Sequence, residues 1–235
     1  MTLPTVVGVG TVAAGTGDVV PTLPSFAVDD IAWIVVEQSP VNNFPSSSGY
    51  PSGYDLVPNS QQKPASNATD GNTTVYWRRL QSGDTDPTVP DTINHTSARI
   101  IVTRGSPTTG NPWDVTNGGT DNTSTNALSV TGNTTTVDDC LILIFAGTGT
   151  DTDSTAEWST PVNIDLANLT ERMDNYNSNG NGGGFCCYTG EKAAAGAYGA
   201  TTLVIATAGT KAFCTIAVKP ATASTVKQLA ALGVG

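Results

Sequence analysis

VDDIAWIVVEQ (Val28–Gln38) and VDDCLILIFAG (Val137–Gly147) decide the fold of this chain. Each places a valine and two aspartates ahead of a run of strand-forming apolar residues, and the two begin 109 positions apart. Such runs lack the strict alternation of a half-exposed strand, which predicts strands buried on both faces or nearly so. The aspartates predict the turn into each strand, because an Asp side chain accepts hydrogen bonds from turn amides and tolerates unusual backbone angles. Asp29, Asp30, Asp138 and Asp139 are therefore read as structural, not catalytic.

The order of segments repeats outward from these strands. After the first run come a polar Pro/Ser/Gly stretch, TVYWRRL and SARIIVTRG; after the second come another polar stretch, GFCCYTGEK and KAFCTIAVKP. From Asp29 to Tyr76 is 47 residues and from Asp138 to Cys186 is 48. Agreement in order and spacing points to two related halves, about 5–105 and 126–220. Segment 106–125 reads as an ordered connection between them, followed by a strand near 126–131. Neither half can cover its own apolar face, so the expected fold is all-β: two antiparallel sheets packed as a jelly-roll or Ig-like sandwich of eight to ten strands over residues 1–220. Residues 221–235 form a tail in which Val226, Leu229, Ala230 and Gly233 fall at helical intervals, read as a short docking helix or an extended arm.

Composition agrees with this. Only 13% of the 235 residues are charged, against 37 threonines, 25 glycines and 14 prolines. Threonine suits a pleated surface, while glycine and proline interrupt long helices. A net charge of -10 with ten Lys and Arg in all excludes a phosphate-backbone binder, and Arg78-Arg79 reads as two strand residues on opposite faces. No apolar run approaches the ~20 residues of a membrane helix. The start, MTLPTVVGVGTV, has neither a basic n-region nor a long h-region, which predicts folding in a cytoplasm. Cys140, Cys186, Cys187 and Cys214 lack zinc spacing and read as buried thiols.

The remaining candidates for chemistry each have a simpler structural reading. GVGTVAAGTG lacks the Lys-Ser/Thr that completes a phosphate-binding loop, and NSNGNGGGF reads as a turn before a strand. His95, the single histidine, would have to anchor any Ser-His-Asp or Cys-His machinery, and it reads as a solvated or turn-bonding residue. Asp151, Asp153 and Glu157 could supply paired carboxylates for glycoside cleavage or calcium, but lack the full calcium-loop pattern and read as a solvated acidic loop. The six N-x-S/T sequons, at Asn67, Asn72, Asn94, Asn122, Asn133 and Asn168, follow from the abundance of threonine. No catalytic, cofactor-binding or metal residues are assigned.

VxGxGTVAxGTG, VxPxLPxFxVDD, LTERMDNYNSNGNGGG, TGEKAAAGAYG and FCTIAVKP together resemble a diffuse group of tailed-bacteriophage structural proteins. The likeness covers most of residues 5–220 and rests on turns and strands. It implies a non-enzymatic virion protein, assembled in a bacterial cytoplasm, that decorates the outside of the head. Such a protein would bind the major capsid protein as a homotrimer, without nucleic acid, membrane or small-molecule partners. A tail or tail-fibre adhesin stacking exposed Trp or Tyr on host glycans is the alternative, and a glycan-cleaving sandwich enzyme is a third reading. If the repeated strands are core, capsid contact falls to loops and termini: Met1 to Thr5, 39–62, 105–125 and 221–235.

Overall fold

The computed structural model describes residues 2–39, 49–64, 71–91, 95–150, 157–178 and 182–222. Among them every regular element is a strand. In chain order these are β1 (Thr5–Val9), β2 (Ala13–Gly15), β3 (Ile31–Ser39), β4 (Asp55–Leu56), β5 (Asn72–Arg79), β6 (His95–Arg104) and β7 (Trp113–Val130). They continue as β8 (Asn133–Thr135), β9 (Cys140–Thr148), β10 (Trp158–Val162), β11 (Ala167–Asn177), β12 (Gly183–Lys192), β13 (Gly196–Tyr198) and β14 (Thr201–Val218). These exceed the expected eight to ten because short connecting segments, β2, β4, β8 and β13, pair as strands of their own. The tail beyond Thr222 lies outside the described residues.

Two antiparallel sheets pack face to face as a β-sandwich. The first runs β1-β6-β3-β5-β4, with β2 also on β6. In the second, β14 lies between β7 and β9, and β12 and β11 follow β9. The paths match place for place: a central strand (β3 or β9) lies between the strand that follows it by one polar excursion (β5 or β12) and the last long strand of the half (β6 or β14).

The opening strands occupy these two central places. Ile31, Trp33 and Val35 point between the sheets and meet Leu141, Leu143 and Phe145 there. The alternate residues Ala32, Ile34 and Val36 face the outer side of the first sheet, under Tyr54, Leu80 and Val89. Cys140, Ile142, Ile144 and Ala146 do the same on the second, beneath Tyr198, Leu203 and Ile205. Both runs are continuous in apolar character because both of their faces are dry, and burying a side chain as large as Trp33 or Phe145 contributes about 2–3 kcal/mol.

An offset of 110, not the 109 of the written repeat, relates the two strands structurally. It carries Asp29 to Asp139, Ile31 to Leu141, Trp33 to Leu143 and Val35 to Phe145. Asp29 and Asp139 both adopt left-handed backbone, at φ 70 and 59. Each donates its N–H across the sheet, to the Leu80 and Ala193 carbonyls, both at 2.9 Å. A shift of one residue exchanges the faces of a strand, so alignment by letters alone would place Ile142 in the wrong layer.

The stretch read as a connection, 106–125, is largely strand. β7 begins at Trp113 and pairs β14 throughout, with its register broken near Thr125 and Gly209. Here both strands turn back on themselves. The Asn117 side-chain amide donates to the Gly132 carbonyl at 2.8 Å, and that of Asn133 donates to the Thr116 carbonyl at 3.1 Å. The returning ribbon brings Leu128, Val130, Leu203 and Ile205 onto the outer face of β9. Threonine and asparagine stand here where a buried strand would show aliphatic residues, so the pattern looks like a loop.

Lys211 holds this corner. Its side chain is fully buried and its ammonium donates to the carbonyls of Thr125 at 2.7 Å, Gly209 at 2.8 Å and Thr123 at 3.3 Å, with the Asp121 carboxylate at 3.3 Å. A bulged ladder leaves carbonyls without strand partners, and the lysine supplies the missing donors.

Candidate functional site

The most unusual chemistry lies where β3 ends and β5 and β6 begin. Glu37 continues the inward phase of Ile31, Trp33 and Val35, and His95 that of Ile101, so both side chains enter the space between the sheets. The His95 Nε2 and Glu37 Oε2 atoms lie 3.0 Å apart, and neither side chain has any exposed surface. The offset of 110 carries Glu37 to Gly147. A Cβ on Gly183 would lie 2.6 Å from the Glu37 carboxylate, and one on Gly71 2.5 Å from its Oε1. The carboxylate thus fills a space left open by Gly183 on the facing sheet and by Gly71 at the start of β5 on its own.

His95 is a correction to the expected solvated histidine. Counting back from Ile101 in steps of two predicts an inward side chain, a signal that the turn-like DTINHT context conceals. Burial pushes the Glu37 carboxyl up to about 7, against the lowering by its hydrogen bond and charge interaction with His95. Glu37 Oε1, His95 Nδ1 and Thr73 Oγ1 lack hydrogen-bond partners among the described residues, as do Gln38 Oε1, Thr74 Oγ1 and the Asn72 amide atoms on the other side of the sheet. The pair can hold and exchange a proton. With no exposed face it offers no place for a substrate, and it reads as a buried structural pair.

The other acidic candidates also separate. Glu157 is buried, not solvated, and accepts from the Thr207 N–H at 3.1 Å, while Asp151 and Asp153 lie outside the described residues. Asp30 takes the Arg104 guanidinium on both oxygens at 2.7 Å, and Asp138 accepts from the Ala195 N–H at 2.7 Å, both bracing turns. Among the described residues no group of three or more His, Cys, Asp or Glu is placed to hold a metal ion. The four cysteines are free and buried; burial pushes the Cys140 thiol up to about 12 and the other three upward as well.

Open grooves lie on the outer faces of both sheets. On the first sheet, Ser52, Tyr54, Arg78, Asp84 and Asp86 line a polar groove of about 340 Å³. Its Arg78 is already committed, donating to Asp84 at 2.9 and 2.6 Å and to the Gly53 carbonyl at 3.2 Å. On the second, β10, the first half of β14 and the second half of β7 border a groove of about 580 Å³. Leu128, Leu203 and Ile205 point inward here, and the alternate residues face solvent. Their cross-strand rows are Val162, Thr202 and Ser129, then Ser159, Val204 and Ala127, with no charge in either.

The aromatic residues are mostly inside. Trp33, Trp113 and Trp158 are buried, and Trp77 packs edge-on against Trp113 at 5.2 Å. Tyr176 is the exposed aromatic side chain among the described residues. The segments expected to contact a capsid differ in character. Residues 50–62 are partly built into the core, through buried Val57 and Ser60, whose hydroxyl donates to the Val57 and Val75 carbonyls. Residues 40–48 and 223–235, like Met1, lie outside the described residues. Comparison with protein-family models, with curated proteins and with solved structures finds no match to this chain.

Proposed function

We propose that this protein is a non-enzymatic structural component of a tailed-bacteriophage virion, decorating the outside of the head. In this reading it is assembled in the host cytoplasm and seated as a homotrimer where copies of the major capsid protein meet. The observation that carries the reading is the nature of the accessible surface. A rigid sandwich with dry outer layers keeps its tryptophans inside and presents an uncharged face of Thr, Ser, Ala and Val around Val204. Many copies of one modest interface on a shell need little charge steering, and small side chains lose little entropy on docking. The particle context rests on the resemblance of the chain's turn and strand motifs to tailed-bacteriophage structural proteins.

The test is occupancy. Purified protein added to heads that lack it should bind to saturation at hundreds of copies per particle and raise the temperature at which the heads release DNA. A second reading, a tail or fibre adhesin, is favoured by the polar groove beside Arg78, where Ser52, Asp86 and Thr88 bring hydroxyl and carboxylate groups that suit a sugar. A handful of copies per particle, together with tight binding to host polysaccharide, would establish that reading and exclude decoration.

A further inference from the structure

We infer that the corner where β7 and β14 turn back is a binding site for a monovalent cation, occupied in this chain by its own Lys211 ammonium. The site arises from a mismatch between two paired strands. Asp121 pairs with Lys211 and Thr125 with Gly209, so the three residues 122–124 stand opposite the single Thr210. The surplus backbone cannot all join the ladder, and the Thr123 and Thr125 carbonyls turn to the buried side of the bend, where the Gly209 carbonyl joins them. Five oxygens then surround one point. The Lys211 Nζ atom lies 2.7 Å from the Thr125 carbonyl, 2.8 Å from that of Gly209, and 3.3 Å from the Thr123 carbonyl, the Thr125 hydroxyl and Asp121 Oδ2. Carbonyls beside the cage have other donors. The Asn126 side-chain amide donates to those of Ile205 and Ala206 at 2.9 and 2.8 Å, and the Thr148 hydroxyl to that of Thr210 at 2.9 Å.

Charge and size name the class of ion. Asp121 is fixed, because its Oδ1 accepts from the Thr123 N–H at 2.9 Å while Oδ2 faces the ammonium. One carboxylate among four neutral oxygens asks for a single positive charge. Magnesium and calcium sit at about 2.0–2.1 and 2.3–2.6 Å from their oxygens, so this cage is too wide and too weakly charged for either. Carbonyl oxygens are the ligands that replace the water shell of potassium, an ion close to ammonium in size. Asp121, Thr123 and Thr125 also border the groove on the second sheet, and the Asp121 side chain is 26% exposed, so an ion from solvent reaches the cage once the lysine stem is removed. With its cation covalently attached, the native bend keeps its shape whatever salt surrounds the protein. This inference does not depend on the virion reading.

Lys211→Ala in the full chain removes the cation and leaves room for another. Its urea midpoint should be higher in potassium chloride than in tetramethylammonium chloride at the same ionic strength, and higher again in propylammonium chloride, which restores both the missing stem and its ammonium. A cation at about ten times its dissociation constant raises the folded-to-unfolded ratio about tenfold. The native chain and Lys211→Met, whose stem occupies the way into the cage, should show no such preference among salts, and adding Asp121→Asn to Lys211→Ala should abolish it. Equal midpoints of Lys211→Ala in all three salts would overturn the inference. Failure of Lys211→Ala to fold even with propylammonium would overturn it too, since the bend would then need a donor tethered to β14 and not a cation. Lys211→Met keeps the packing of the stem, so a native midpoint in that variant would show that the corner needs no cation and would sink the inference as well.

Discussion

The two sheets share a strand order but not a chemistry, and the contrast is sharpest at equivalent positions of their central strands. Where the second sheet has Gly147, the first has Glu37, which turns a close-packed end into a buried acid with a histidine beside it. The outer faces differ as well. The first sheet is covered by chain segments around Val19, Tyr54 and Val89, whereas the second is covered by its own strands β7 and β14 doubling back over it. Shared topology therefore specifies the layer between the sheets, and each half closes its outer face with the sequence it happens to carry.

The largest expected effect tests whether the two outer layers are equally dry. Ile142→Asp on the second sheet and Ile34→Asp on the first each place a carboxylate where the native side chain has no exposure. Both should cost more than about 4 kcal/mol and leave no cooperative urea transition. If Ile34→Asp instead folds with a near-native midpoint, the cover over the first sheet opens readily and the two layers are not comparable.

Lys211 has no counterpart among the described residues of the first sheet, none of whose strands doubles back. Lys211→Met keeps most of the buried stem and removes the donors to Thr123, Thr125 and Gly209. The orphaned carbonyls and the unpaired Asp121 should lower stability by about 3 kcal/mol in urea unfolding. A loss below about 1 kcal/mol would mean that water reaches the corner and that the bend does not depend on the lysine.

Glu37 gives a pH test with a definite sign. Its folded-state value near 7 lies above the ordinary 4.5, so between these values the unfolded chain releases a proton that the folded chain keeps. Stability from this group is complete below about 4.5, declines as pH rises towards 7, and is then flat. At about 1.4 kcal/mol per pH unit, the decline has a ceiling of roughly 3 kcal/mol. The stability of Glu37→Gln relative to the native chain should therefore rise between pH 4.5 and 7 and level off above. A difference that does not change over that range would show that the pair is hydrated, and that this end is no drier than its glycine-lined counterpart.

The parts of the fold that were legible in the sequence are those where burial is uniform along a strand. The runs ending at Gln38 and Gly147 gave away the central strands, and TVYWRRL, SARIIVTRG and GFCCYTGEK their neighbours. An apolar residue at every position is what a strand with two dry faces requires, and one at every second position is what a strand with a single dry face requires. The doubled-back ribbon was hidden because its outward face is solvent and its corner is polar, so TNGGTDNTSTNA reads as a loop until Lys211, 90 residues after Asp121, supplies the donors. Glu37 and His95 were hidden for a different reason: each lies at the polar end of a strand, where burial depends on the facing glycines of another segment. A count of alternate positions would have found both.

The smallest expected effect decides whether the repeat aligns by its letters or by its backbone. By letters Asp29 matches Asp138; by backbone it matches Asp139, since these two have positive φ while Asp30 and Asp138 do not. Replacing each aspartate by Gly and by Ala, and taking the difference between the two variants, cancels whatever the carboxylate contributed. In the left-handed region a Cβ is strained, so Ala should be less stable than Gly by about 1 kcal/mol at Asp29 and Asp139. At Asp30 and Asp138 the sign should reverse, with Ala ahead by roughly 0.5 kcal/mol, because Gly gives the unfolded chain more freedom to lose. Thermal or urea midpoints of the eight variants resolve differences of this size. If Asp138 follows Asp29 and Asp139 does not, the offset of 110 is wrong, and the inward and outward sets of one central strand must be exchanged.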